Sequence, residues 1–389
     1  MNFDEDIDRR GTHCAKWDTM EEYYGVSPDT GLAMWVADMD FRPPAEVQDA
    51  LRGMLDHGIY GYYGSDRDLL AAMGWWMQTR HGWTVDPAHV FTTHGLVNGT
   101  ALCIDTFTAP GDGIVLFTPV YHAFHKIIAA SGRRAVQCPL VIEDGRYTMD
   151  FERYDAMMTG DERMVILCSP HNPGGRVWTR AELQGVADFA RRHDLILVSD
   201  EIHHDLILPG HRHIPMALVE GVADRLVMMT SATKSFNIAG CHTGQVTIAD
   251  DTLRKRFADR VAALGISPNS FGMEMVRAAY SPGGAAWLDA LMVYLDGNRQ
   301  VLDAGVAAIP GVRSMALEGT YLGWVDFNGT GMDEAGIARR IERDARVAVN
   351  HGTPFGQGGE GWMRFNFATP RARIEAAVTR LQAAFADLQ

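Results

Sequence analysis

The sequence predicts an α/β protein, with a large domain built on a mixed, mostly parallel sheet and a smaller α/β domain beside it. Residues 163–168 and 195–198 are continuous apolar runs, the pattern of strands buried on both faces. Between them lies a helix whose start carries a capping box, Thr179 with Glu182 three residues on. Strand, helix, strand in that order implies right-handed parallel crossovers. The chain has 389 residues, long enough for two domains, and its 47% hydrophobic and 22% charged composition is that of a globular protein.

Taken in order, residues 1–44 read as an extended arm, because Pro43 and Pro44 forbid a continuing helix. Residues 45–57 form a helix with Val47, Leu51, Met54 and Leu55 on one side. The segment 58–64 interleaves glycines with Tyr60, Tyr62 and Tyr63, a turn whose ordinary reading is loop packing. Residues 90–93 are a strand, and His94-Gly95-Leu96 opens a helix through Phe107 whose free amides suit an anion. A strand at 114–117 and a helix from His122 to Ala130 follow. Prolines and glycines then fix Asn172 in the turn 169–175.

The strand 195–198 ends abruptly in Asp200, Glu201, His203 and His204. A carboxylate at the mouth of a buried strand is costly unless a cation faces it; helix capping is the alternative. The strand 226–229 delivers Lys234 to a strand end, where open α/β sheets place their ligands. Residues 243–248 form an antiparallel strand, and helices fill 253–264 and 272–279. The stretch 281–284 reads as a linker, giving a division into 1–44 (arm and part of the small domain), 45–282 (large domain) and 283–389 (small domain). Beyond it lie a helix at 287–305, a strand at 321–327, a helix at 334–346, a strand carrying Arg364, and a helix at 371–388.

Composition narrows the function. With 35 Lys and Arg against 49 Asp and Glu, the net charge of -14 repels nucleic acid and anionic membranes. Five scattered cysteines without a C-x-x-C pair point to reduced thiols and a cytoplasmic location. Acidic residues 4–8 stand where a secretory signal would be basic, and no run is long enough to span a membrane.

Lys234 lies among small and hydroxylated residues, Ser231 and Thr233 included. Burial there lowers an amine's pKa enough for it to form an imine with an aldehyde; a solvated loop lysine is the competing reading. Arg364 suits bidentate capture of a carboxylate, with a structural salt bridge as the alternative. His203, His204, His211 and His213 suggest a metal, but they straddle Pro209-Gly210 without ligand spacing, and no metal is expected. A lysine, a strand-end aspartate for a protonated ring nitrogen, a fixed asparagine and a glycine turn together meet the needs of pyridoxal phosphate.

Asn172-Pro173-Gly174, Asp200-Glu201-Ile202-His203, Ser231-Ala232-Thr233-Lys234 and Arg364-Phe365-Asn366 resemble the fold-type I pyridoxal-phosphate enzymes of the class I/II aminotransferase superfamily. Trp35 to Phe41, Pro119-Val120-Tyr121-His122, Ser169 to Trp178 and Glu318 to Leu322 are similar to its MalY/PatB-like cystathionine β-lyase (C-S lyase) branch. The resemblance implies an aspartate aminotransferase-like fold, pyridoxal 5'-phosphate as cofactor and a homodimer. It implies that Lys234 binds the cofactor and then acts as base at Cα, that Asp200 pairs with the ring nitrogen, and that Asn172 pairs with the ring hydroxyl oxygen. Tyr121 would stack on the ring and, as a second catalytic residue, assist proton transfer. Gly95, Leu96 and Ser231 would hold the phosphate, with Tyr62 reaching in from the partner, while Arg364 and Ala37 meet the substrate and His203 sits near the ring hydroxyl. One departure is His242, eight residues after the lysine, where many relatives carry a phosphate-binding arginine. The expected reaction is β-elimination from L-cysteine S-conjugates such as cystathionine to a thiol, pyruvate and ammonia. Amino-acid transamination, which uses the same catalytic parts, is the alternative; a non-catalytic binding protein is disfavoured by the intact Lys234, Asp200, Asn172 and Arg364.

Overall fold

Alternation along the central strands divides the core into two layers. The computed structural model describes residues 1–267 and 269–388, and its larger sheet has seven strands. They are β1 (Val90–Thr93), β2 (Gly113–Thr118), β3 (Arg134–Pro139), β4 (Glu162–Cys168), β5 (Ile196–Asp200), β6 (Leu226–Thr230) and β7 (Gly244–Thr247). Their spatial order is β1-β7-β6-β5-β4-β2-β3. Strand β7 runs antiparallel to β1 and β6, and the remaining pairs are parallel. Val115, Phe117, Val165, Leu167 and Leu197 face one core together with Leu183, Val186 and Phe189 of helix Arg180–Arg192. Their neighbours Ile114, Leu116, Met164, Ile166 and Val198 face the other, against Leu102 and Phe107 of helix Leu96–Phe107. A two-residue period with helices on both sides makes the strands apolar throughout.

The smaller sheet is antiparallel: β8 (Arg313–Ser314), β9 (Leu322–Asp326), β10 (Asn350–His351) and β11 (Trp362–Asn366), in the order β8-β9-β11-β10. Helix Pro282–Ala307 packs on β8, on β9 and on helix Arg371–Ala384. Leu32–Ala33 pairs in parallel with Val347–Ala348, so the N-terminal segment joins this second lobe.

Several expectations need correction. The N-terminal arm is not uniformly extended, since it contains helices Ala15–Asp18 and Met20–Tyr24. The first is held by the buried Asp40, which takes its Lys16 at 2.9 Å and its Trp17 indole at 3.2 Å, beside Arg9 of the preceding segment at 2.8 Å. The supposed linker is the first turn of helix Pro282–Ala307, with Pro282 at a position where the missing amide costs nothing and Ser281 Oγ accepting from Gly284 N at 3.1 Å. Its glycines serve packing, because a Cβ at Gly283 would strike the Glu46 carboxylate and one at Gly284 the Ala279 carbonyl. The helix expected at 334–346 is Glu334–Arg339 followed by a wider turn, Arg340–Asp344, and the last helix stops at Ala384. Strand β3 and helices Arg67–Trp76 and Phe151–Met157 escaped the sequence reading.

Candidate active site

Three adjacent strand ends converge at the carboxyl edge of the larger sheet. Cys168, last residue of β4, is in register with Asp200, last of β5, and Asp200 with Met229 of β6. The turns leaving these strands bring Asn172, His203 and Lys234 to a cavity of about 250 Å³. Gly95, Leu96, Tyr121 and His242 complete its walls, and Ala37 comes from the N-terminal segment. Asp200 and Lys234 each stand at a strand end, as the sequence predicts, and the pairing of β5 with β6 brings them to one cavity.

The electrostatics is that of a cavity poised for a charged ring. Asp200 is buried, accepts, among the described residues, the Ile202 amide alone at 3.1 Å, and is pushed by that burial from 3.8 to about 7. Burial moves Lys234 the opposite way, to about 8, so its amine is partly neutral near physiological pH. Lys234 Nζ donates to the Ala37 carbonyl at 2.6 Å, which Tyr321 also addresses at 2.9 Å. His203 is buried with an unpartnered Nδ1, and burial drives its pKa well below 6.5, leaving a neutral imidazole.

Arg364 lies on β11, paired with Asn350 of β10 and Trp324 of β9. Its guanidinium donates to Asn172 Oδ1 and to the Trp35 carbonyl, both at 3.0 Å, and to Asn350 Oδ1. It sits over the Phe355 ring with 5.0 Å to the centroid. Burial lowers its pKa to about 10, which still leaves it cationic. Among the described residues no carboxylate pairs with it, so the salt-bridge alternative lapses and the charge can meet an anionic ligand.

One end of the cavity is built largely from main chain. Gly95 caps helix Leu96–Phe107 with φ of 81°, a conformation that favours glycine, and leaves the first-turn amides open. Ser231 Oγ is engaged by Thr233 Oγ1 and by the Thr243 carbonyl, each at 2.8 Å, so the cavity wall itself carries Thr233. His242, the departure from arginine, lines the wall as well. Tyr62 is fully solvent-exposed and stays outside its own chain's cavity. The set fits pyridoxal phosphate: Asp200 needs a cation to face, Lys234 has a reactive amine, and open amides meet the anionic group.

Comparison with known proteins decides the family. Residues 38–381 match the family model described as aminotransferase class I and II. The chain belongs to that family. Within it, cystathionine beta-lyase PatB of Bacillus subtilis is 38% identical over 99% of this chain and 100% of its own. Protein MalY of Escherichia coli is 31% identical over 98% of each. The crystal structure of cystalysin from Treponema denticola, which contains a pyridoxal 5'-phosphate cofactor, superposes with a TM-score of 0.95 at 33% identity, covering 100% of this chain and 99% of that one.

Some supporting residues of this family member were missed in the sequence. Asn366 donates at 2.6 Å to the carbonyls of both Val36 and Asp38, clamping the segment that presents Ala37. Asn237 does likewise for Met39 and Phe41 at 2.9 and 2.7 Å. Asparagines near the lysine and beside the arginine were the only signal, because their partners lie far away in the chain.

Proposed function

We propose that this chain is a pyridoxal-phosphate-dependent carbon-sulfur β-lyase. It cleaves L-cysteine S-conjugates such as cystathionine to a thiol, pyruvate and ammonia. The supporting observation is Lys234, its pKa lowered by burial to about 8, in one cavity with the uncompensated Asp200. Full-length likeness to a cystathionine β-lyase supports the sulfur substrate. When bound, pyridoxal phosphate supplies an electron sink for the pair left as the Cα proton departs.

The chain's own groups do the rest. Lys234 would be the residue that anchors the cofactor through its amine, and the same amine would take the proton from Cα of the substrate. Asp200 would keep the ring nitrogen protonated, Asn172 would donate to the ring hydroxyl oxygen, and Tyr121 would cover the ring. His203, neutral, would serve near that hydroxyl without adding charge. Open amides at Gly95 and Leu96, with the Ser231 hydroxyl, would hold the phosphate. Arg364 exchanges its contact with the Asn172 side chain for the substrate carboxylate, and the Ala37 carbonyl positions the amine.

The working unit is a homodimer in the cytoplasm. Tyr62 is fully exposed and Leu55, Ile59 and Tyr60 nearby are more than half exposed, a surface for a second copy whose cavity Tyr62 enters. Residues 1–44 with 283–389 form a small domain against a large domain of 45–282. No described helix is long and apolar enough to cross a membrane.

Transamination is the second reading, favoured by the family model itself. Incubation with cystathionine and no added oxo acid separates the two. Release of pyruvate and thiol in equal amounts over many turnovers supports the lyase. A single turnover that leaves the amino group on the enzyme, with no pyruvate, overturns it.

A further inference from the structure

Behind the cavity, on the far side of the Lys234 loop, three buried side chains converge without belonging to the amino-acid site. His81 ends the helical segment after Trp76, and His204 and Asp205 follow β5. One ligand atom from each lies within 4.8 Å of the others, and all three residues are buried. A tetrahedral ion with bonds of about 2.0 Å sets its ligands about 3.3 Å apart, so closing by at most about 1.5 Å brings this group into range.

The hydrogen bonding leaves a gap that a cation fills. His204 Nδ1 lies 2.6 Å from the Glu201 carbonyl, which can only accept, so Nδ1 carries the proton. In the neutral ring Nε2 is then a bare lone pair, and it stands 3.2 Å from Asp205 Oδ2 with no hydrogen-bond partner. Two lone pairs face each other there, an arrangement that calls for a proton or a metal between them.

The outer shell is equally complete. A metal-bound histidine characteristically donates its other ring nitrogen to a carbonyl, as His204 does to Glu201. The Asp205 carboxylate is oriented by Trp76 Nε1 at 3.0 Å and by Ser235 Oγ at 2.8 Å. His81 Nε2 lies 2.8 Å from Asp205 Oδ1 and gives up its proton on binding an ion. A neighbouring cavity of about 380 Å³, lined also by His211 and His213, offers an entry path and a fourth ligand. His213 now contacts Glu201 Oε2 at 2.7 Å.

We propose that His81, His204 and Asp205 form a binding site for a divalent transition ion of zinc type, separate from the pyridoxal-phosphate cavity. Two imidazoles and a carboxylate suit Zn2+ or Co2+ and disfavour Ca2+ and Mg2+. Because Ser235 follows Lys234 and donates to Asp205, an ion here anchors the loop carrying the amine.

The test uses cofactor-loaded enzyme stripped with a chelator and dialysed against Zn2+, with bound metal counted by atomic emission. One zinc per chain is expected in the native protein and at least a tenfold loss of affinity in His81→Ala and His204→Gln. Should either variant fold poorly, Co2+ added to the native protein gives the visible bands of a tetrahedral nitrogen and oxygen set, and Zn2+ raises its thermal midpoint. Zinc well below one per chain, an octahedral cobalt spectrum, or stoichiometric zinc retained by both folded variants overturns the proposal.

Discussion

Asp200 carries a prediction that can be worked through from the structure. Without cofactor its carboxylate is buried against a single amide, and that burial raises its pKa from 3.8 to about 7. An acid whose folded-state pKa exceeds its unfolded one leaves stability untouched below the lower value. Stability is then lost progressively as pH climbs between the two. The interval of about three pH units corresponds to about 4 kcal/mol at most. Asp200→Asn removes the charge and keeps an acceptor for Ile202. Cofactor-free Asp200→Asn should therefore exceed cofactor-free native protein in stability by about 4 kcal/mol near pH 8 and by about 1.5 kcal/mol near pH 5. Urea unfolding followed by fluorescence at both pH values measures the gap. Adding pyridoxal phosphate should reverse the ranking, because the carboxylate then faces a cation. A gap that does not widen with pH would refute the reasoning that burial without a counter-charge dominates at Asp200.

Further outcomes follow from the same geometry. Lys234, at about 8, should take up cofactor about tenfold faster for each pH unit gained up to about pH 8 and level off above, read from the visible absorbance of the lysine-bound cofactor. Arg364→Lys retains charge but loses the fork, so kcat/KM should fall about 100-fold; a loss under about threefold would remove Arg364 from carboxylate binding. Asn366→Ala deletes two buried donors to the 36–38 segment and should cost about 2–3 kcal/mol in chemical denaturation. Mixing inactive Lys234→Ala with inactive Tyr62→Ala subunits should restore about a quarter of native activity, since half the dimers are hybrids with one intact site; no recovery would place Tyr62 outside the partner's cavity.

How much could be read in advance follows from the range of the forces involved. Apolar runs and turn residues act locally, so β4 to β7, the capping box at Thr179, and the placing of Asn172, Asp200 and Lys234 after their strands were legible in the chain. The same local logic failed where a distant neighbour decides. Pro282, Gly283 and Gly284 look like a linker until Glu46 and the Ala279 carbonyl are seen pressed against them. The helix at Ala15–Asp18 depends on Asp40, whose buried charge takes its Lys16 together with Arg9 from the segment before it.

The sequence by itself determined the fold class, the family resemblance and the identity of the reacting groups, because chemistry at strand ends is written in short motifs. Only the tertiary structure decided that Ala37 meets Lys234, that Arg364 meets Asn172, and that His81 joins a histidine and an aspartate more than a hundred residues away. Those meetings are made by sheet registers and buried side-chain clamps. Their energy comes from burying and pairing polar groups that lie far apart in the chain, and no local pattern records which partner they find.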